Sequence, residues 1–417
     1  MGILRLEAYK GAIPPQLSAV MANTMQLCIP TNWQPDLLDK LNKTKVIEIY
    51  GKLKEDAVGG GRSSVSLRYI SRQSVSEYVA RVHNLGIRFN YLLNASCLGN
   101  SEWTARGQRR IRKLLDWLSE IKVDSITVSS PYLLSLAKKC YPNLELNVSV
   151  IAAVDSPQKA RHWQDLGADQ ITLPNSLNRN FKLLKQIRKS LRCRLQLIAN
   201  QVCLHEYPFC AFHYTSASHS SQERVKINKF FNFNYYPALC RYLSILEPYR
   251  LISAGWIRPE DLVYYRQIGI DRIKLVDRRM DTQRLLCVTE AYTSEKYEGN
   301  LFDILFYRAN DSPKMTWLEK FYYLLNFKEM NLLKIHRYMS SLQIRDNIYL
   351  DNKKLSGFID FFLQGQCKRG DCYECDYCKG IAEKLCVIAP EYKEKMTVAY
   401  KQFLEDIIDG SLFYVNR

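Results

Sequence analysis

The stretch QRRIRKLLDWLSEIKVDSITVSS, residues 108–130, decides the fold. In its first part Ile111, Leu114, Leu115, Leu118 and Ile121 share one face of a helix. Its second part, Asp124 to Ser130, is a short β-branched run that reads as a strand. A helix feeding directly into a strand is half of a β–α–β unit.

The pattern recurs in both directions. Comparable runs are QLCIP (26–30), KVIEIYG (45–51), IRFNYLLN (87–94), LELNVSVIA (144–152), DQITLPN (169–175), RLQLIAN (194–200) and DRIKLVDR (271–278). Asn84-Leu85-Gly86 and Asp165-Leu166-Gly167 end two helices just before a strand, as a C-terminal glycine does. Strand and helix alternating about eight times means parallel pairing with right-handed crossovers. The expected class is α/β, a (β/α)8 TIM-like barrel over residues 22–300. No G-x-G-x-x-G follows the first strand, which disfavours a dinucleotide-binding sheet.

The spacing breaks once, between the strands at 194 and 271. Residues 201–250 therefore read as an insertion after strand seven, on the face where barrels build active sites. Beyond residue 300 the alternation stops, and 301–417 reads as a small, mainly helical, cysteine-rich module.

Two compositional facts bear on function. The chain of 417 residues has 59 Lys+Arg against 42 Asp+Glu, a net charge of +17. That excess points to an anionic small substrate or RNA, or to no more than a solvated basic surface. The chain also has thirteen cysteines. Its first residues, MGILRLEAYKGAIPPQ, lack the order of a secretory signal, and no apolar run reaches about 18 residues. The expectation is a cytoplasmic protein without membrane insertion, where clustered cysteines signify metal or redox chemistry.

Cys367, Cys372, Cys375 and Cys378 are spaced C-x4-C-x2-C-x2-C. Such density resembles a ferredoxin run more than paired zinc knuckles, so a [4Fe–4S] cluster is expected and zinc is the alternative. The insertion carries Cys203, Cys210 and Cys240 with His205, His213 and His219, at spacings that are weak taken alone. Cys28, ending the first strand, is a further group able to face the mouth; Cys97, Cys140, Cys193 and Cys386 read as core or incidental. Val58-Gly59-Gly60-Gly61-Arg62 suggests a flexible loop offering backbone N–H groups to an anion, although it lacks a P-loop ending.

Several motifs, in one order, resemble the U-thirty-two peptidase-like family, the collagenase-like proteases. They are Ile47 to Gly51 with Gly61-Arg62, Phe89 to Asn94, Ala199 to Leu204, Pro208 to His213 with His219, Trp256 to Leu262, Lys274 to Arg278, and Tyr297 to Leu301. The resemblance covers about residues 22–305, and the C-terminal cysteine run is similar to one in some members. It implies either proteolysis, for which the family was named, or O2-independent hydroxylation of RNA, a quinone precursor or another biosynthetic substrate at a [4Fe–4S] cluster. It also implies Cys203, Cys210 and Cys240 as cluster ligands, with Cys287 the candidate fourth, and one cluster or two in all. This chain departs from the family at Tyr207, where many relatives have cysteine, and at Asp277, where they have glycine.

On this reading Arg62, Asn90, Asn94, Asn200, Arg258, Lys274 and Arg278 are candidate substrate contacts, and His213, His219, Glu48 and Tyr50 candidate catalytic groups. Along strand two, Glu48 and Tyr50 are expected to send one polar group inward. No H-E-x-x-H or G-x-S-x-G occurs, so a peptidase would rest on a Cys203–His213 pair. A non-catalytic RNA-binding protein, or a scaffold beside a partner of the same family, is the remaining alternative.

Overall fold

A computed structural model describes residues 24–64, 67–223, 235–306, 331–342, 347–368, 372 and 374–414, without the side chains of 339 and 340. Eight strands close a parallel barrel: β1 (Gln26–Pro30), β2 (Val46–Gly51), β3 (Arg88–Leu93), β4 (Ser125–Val128), β5 (Glu145–Val148), β6 (Gln170–Thr172), β7 (Arg194–Ile198) and β8 (Arg272–Lys274). β8 pairs back onto β1, with Lys274 beside Cys28. Each strand lies within one of the eight runs read from the sequence, so the (β/α)8 expectation holds.

Helices α1 (Pro35–Lys40), α2 (Arg72–Asn84), α3 (Ala105–Glu120), α4 (Pro131–Cys140), α5 (Pro157–Asp165) and α6 (Phe181–Lys189) form the connections after β1 to β6. Local chemistry sets their limits. Ser71, Thr104, Ser130, Ser156 and Asn180 each accept a backbone N–H from the first turn of α2 to α6, a cap worth about 1 kcal/mol. Gly86 and Gly167, at φ +71° and +104°, turn the chain from α2 and α5 into the next strand, a geometry that costs other residues a backbone penalty.

Alternation along the strands sorts the side chains. Leu27, Ile29, Ile49, Phe89, Ile126, Leu146, Ile171, Leu195 and Ile273 join the hydrophobic core between barrel and helices. The lumen is polar, unlike the branched aliphatic filling usual for this fold. Asn90 and Ser125 both donate to Glu48, Thr127 to Asn90, Thr172 to Gln196 and Gln196 to the Cys28 thiol, each within 3.0 Å. Buried polar groups persist because they satisfy one another.

The connection after β7 contains α7 (Cys210–Ser220), α8 (Tyr235–Leu246), α9 (Tyr249–Ser253) and α10 (Leu262–Arg266), and α11 (Thr282–Ser294) follows β8. The C-terminal part has α12 (Leu332–Leu342), α13 (Asp360–Leu363), α14 (Tyr377–Leu385), α15 (Pro390–Ile408) and a two-stranded antiparallel sheet, β9 (Ile348–Leu350) with β10 (Cys386–Ile388). β10 is an addition to the helical tail expected there. α15 packs on α8 and α14 on α9, so this part covers the insertion. No described helix is long and apolar enough to cross a membrane.

Candidate active site

The glycine turn after β2 is built from a buried ion pair. Lys52 and Asp56 meet at 2.5 Å with neither side chain exposed, and Tyr91 donates to the same carboxylate. The other Asp56 oxygen accepts the N–H groups of Val58 and Gly59; Gly60 N–H donates to Ser221 Oγ and Gly61 N–H to Asn94 Oδ1. These donors are consumed by the protein, which corrects the expectation of a flexible loop offering them to an anion. The turn is instead a hydrogen-bonded rim that leads into Arg62.

Inside that rim a pocket of about 550 Å³, open mouth included, sits at the C-terminal ends of the strands. Tyr50, Arg62, Asn94, Lys274 and Arg278 line it, as do Gln201, Tyr214 and Asp277. Glu48 and Tyr50 both point inward, because positions two apart in a strand share a face. Glu48 lies in the lumen bonded to Asn90 and Ser125, whereas the Tyr50 hydroxyl donates to the Leu275 carbonyl at 2.7 Å. Asp277, 1% exposed, is held by Arg62 at 2.5 Å and Arg279 at 3.1 Å, and both guanidiniums lie over the Phe306 ring. Those cations hold its carboxyl far below the usual range despite burial.

Lys274 Nζ rests 4.0 Å from the centre of the Tyr50 ring. Burial, aided by Arg278 and opposed by Glu48 and Cys28, brings its pKa down to about 8. Arg278 is 8% exposed, and its buried Nη1 has no hydrogen-bond partner among the described residues. His213 stacks on Tyr214, and burial with the nearby Arg62 and Arg279 lowers its pKa to about 4, so it is neutral at pH 7.

The thiols of the insertion adjoin this pocket. Burial raises the pKa of Cys203, Cys210 and Cys240, and the charges of Cys210 and Cys240 add to the rise at Cys203. Gln201 donates to Cys203 Sγ at 3.0 Å, and Tyr214 feels both Cys203 and Cys210. Tyr207, at the position of the family cysteine, donates to the Tyr236 carbonyl and adjoins Cys210 and Cys240. Cys287 stands apart: it is exposed on α11, with Asp303 and Arg284 as its charged neighbours. Cys28 is fully buried in the lumen.

Cys367, Cys372 and Cys375 all act on Cys378, whose pKa burial raises to about 11. Cys367 and Cys378 act on Arg179, a buried guanidinium from the loop after β6 that lies over Trp256, Phe358 and Phe362. Among the described residues no three His, Cys, Asp or Glu side chains are close enough to grip a single metal ion. Thiolates at the corners of a four-iron cluster stand farther apart than the ligands of one ion. The donor chemistry, two sets of soft sulfurs that act on one another electrostatically, fits such a cluster.

Other candidates lie off the pocket. Asn90 belongs to the lumen network. Asn200 bridges β7 and β8, accepting from Val276 N–H and donating to the Val276 and Ile304 carbonyls. Arg258 is committed to Asn352 Oδ1 at 2.9 Å and the Leu355 carbonyl at 2.7 Å, so it ties the C-terminal part to the barrel. His219, in the last turn of α7, has a buried Nε2 without a partner among the described residues. Gln201, Tyr214, Asp277 and Arg179 were not singled out from sequence as site residues. Gln201 and Asp277 sit within the quoted motifs and Tyr214 beside one, whereas Arg179 carries no local signal.

The profile of peptidase family U32 matches residues 48–223. An uncharacterized protease of Methanocaldococcus jannaschii is 32% identical over 347 residues, 83% of this chain and 91% of that protein. The tRNA hydroxylation protein P of Helicobacter pylori is 26% identical over 160 residues, 38% of this chain and 37% of that protein. A solved U32 peptidase structure shares 23% identity at a TM-score of 0.48, over 66% of this chain and 96% of that one.

Proposed function

Since the chain belongs to peptidase family U32, we propose that it is an iron–sulfur-dependent modification enzyme that hydroxylates an RNA or another biosynthetic substrate without O2. The observation that carries this reading is that Cys203 lies within electrostatic reach of Cys210 and Cys240 and takes a hydrogen bond from Gln201, itself in the lining of a pocket that also holds Arg62, Lys274 and Arg278. Those three thiolates would hold a [4Fe–4S] cluster, which when bound supplies Lewis-acidic iron and electrons at the barrel mouth. Cys367, Cys372, Cys375 and Cys378 would hold a second cluster, or zinc.

This chain's own residues set the remaining chemistry. Arg62 is held at the rim by Asp277, so its position is fixed before any substrate arrives. Lys274 and the unpaired Nη1 of Arg278 offer positive charge and a donor to an anion. His213, its pKa lowered to about 4, is neutral at pH 7 and only a weak base there. The tRNA hydroxylation protein of Helicobacter pylori and the net charge of +17 support a nucleic-acid substrate. For a peptidase, burial works against activation: it keeps the Cys203 thiol protonated, and the charged neighbours of His213 are Arg62 and Arg279 rather than Cys203.

Anaerobically purified protein is expected to be brown, with about four irons per bound cluster. Cys203→Ser should lose the barrel iron and Cys375→Ser the C-terminal metal, each independently, while Cys287→Ser should lose neither. Colourless protein with stoichiometric zinc and no iron, or peptide cleavage that survives Cys203→Ala and iron removal, would overturn the reading.

A further inference from the structure

Lys274 is an amine placed as a nucleophile would be. It ends β8 at the active face of the barrel and lines the pocket. Its Nζ makes no hydrogen bond or ion pair among the described residues; its contact is the face of Tyr50, 4.0 Å from the ring centre. Arg278 lies in the same pocket wall with Nη1 unpaired and buried. A lysine desolvated beside a second cation is the arrangement that activates amines toward carbonyl carbon.

We infer that Lys274 is a covalent capture site for an oxo acid, forming an imine with its carbonyl while Arg278 takes its carboxylate. The neutral amine adds to the carbonyl carbon, a C–N bond forms, and the carbonyl π pair moves to oxygen. That oxygen takes a proton released by the amine through pocket water. The resulting hydroxyl then leaves as water when the second amine proton is lost and the C=N bond closes. One water is released per imine, and no oxidant or reductant takes part.

The titratable and charged groups acting on Lys274 are Glu48, Cys28 and Arg278, with Cys28 its register partner on β1 and the Tyr50 ring against its ammonium. Their balance with burial leaves it a pKa of about 8, against about 10.4 for a free lysine. Near neutral pH its share of free amine is then about two-hundredfold that of a surface lysine. The inference goes beyond the iron–sulfur reading of the same mouth and does not need it.

The test is reductive trapping near neutral pH. Anaerobically purified protein, with and without bound iron, is treated with glyoxylate and sodium cyanoborohydride, and modified lysines are mapped by mass spectrometry. Lys274 should gain one carboxymethyl group ahead of every surface lysine, and Lys274→Arg should abolish that fast modification. Arg278→Gln should slow trapping of glyoxylate about tenfold more than trapping of neutral glycolaldehyde, the worth of one charge-assisted contact beyond any loss of amine activation shared by both. Label confined to surface lysines of a folded protein overturns the inference. Should Arg278→Gln not fold, equal trapping rates for the two aldehydes on the wild-type protein overturn the oxo-acid assignment. Iron content is measured on the same samples, so a failure of trapping and a failure of the cluster reading are separately visible.

Discussion

Lys274 shows how one residue's chemistry trades against the stability of the fold. Two effects oppose at its ammonium: burial favours the neutral amine, and Glu48 favours the charged form. The net shift is downward, to about 8, so burial wins. The unfolded chain, at about 10.4, binds more protons between the two values, so this group makes stability rise with pH across about 8 to 10.4. Below about 8 its cost is complete, on the order of 3 kcal/mol. Lys274→Met keeps the stem and removes the charge. It should be about 1–3 kcal/mol more stable than the wild type at pH 7, with the gain shrinking as pH rises through that window. Urea denaturation at a series of pH values measures the difference; a variant less stable at pH 7 would mean that Glu48 outweighs burial.

At the scale of elements, the segment after α9 is an anchor. Arg258, from the motif Trp256 to Leu262, is 5% exposed and reaches Asn352 and Leu355. Asn352 in turn donates to Glu260 and to the Tyr297 carbonyl. Trp256 stacks on Phe358, and Phe358 on Tyr377, beside the C-terminal cysteines. Arg258→Ala deletes two buried charge-assisted bonds and leaves Asn352 and Asp261 short of a partner. A loss of about 2–4 kcal/mol is expected, concentrated in docking of the C-terminal part. Hydrogen exchange should speed up over residues 347–368 and α14 while β1 to β6 stay protected. Uniform acceleration across the barrel would show instead that the anchor belongs to the global fold.

For the whole molecule, the decisive quantity is charge. A net +17 gives long-range attraction to any polyanion, and salt reports how many phosphates are neutralised. If the substrate is a tRNA, log Kd plotted against log salt should be linear, with a slope of several units. Lys274→Met should shift affinity little, because one buried cation in a pocket does not contact a long backbone. Filter binding across salt concentrations checks this; salt-independent association, or none, removes RNA as partner.

The eight strands and their order were legible in the sequence because local periodicity and caps act over a few residues. Ile111 to Ile121, Thr104 and Gly86 need no distant partner to make a helix and end it. The cysteine spacing at 367–378 was legible for the same reason. Arg258 was not: its residue type suits an anion site equally well, and only the fold brings Asn352 to it across 94 positions. The glycine turn is similar, since nothing near Gly60 foretells that Ser221 takes its N–H. Short-range steric and hydrophobic preferences thus settled the barrel from the chain itself. Which polar groups stay free for chemistry depends on partners far away in sequence, so tertiary packing alone decided that Lys274 and Arg278 face the pocket while Arg258 and Asn200 are spent on holding it together.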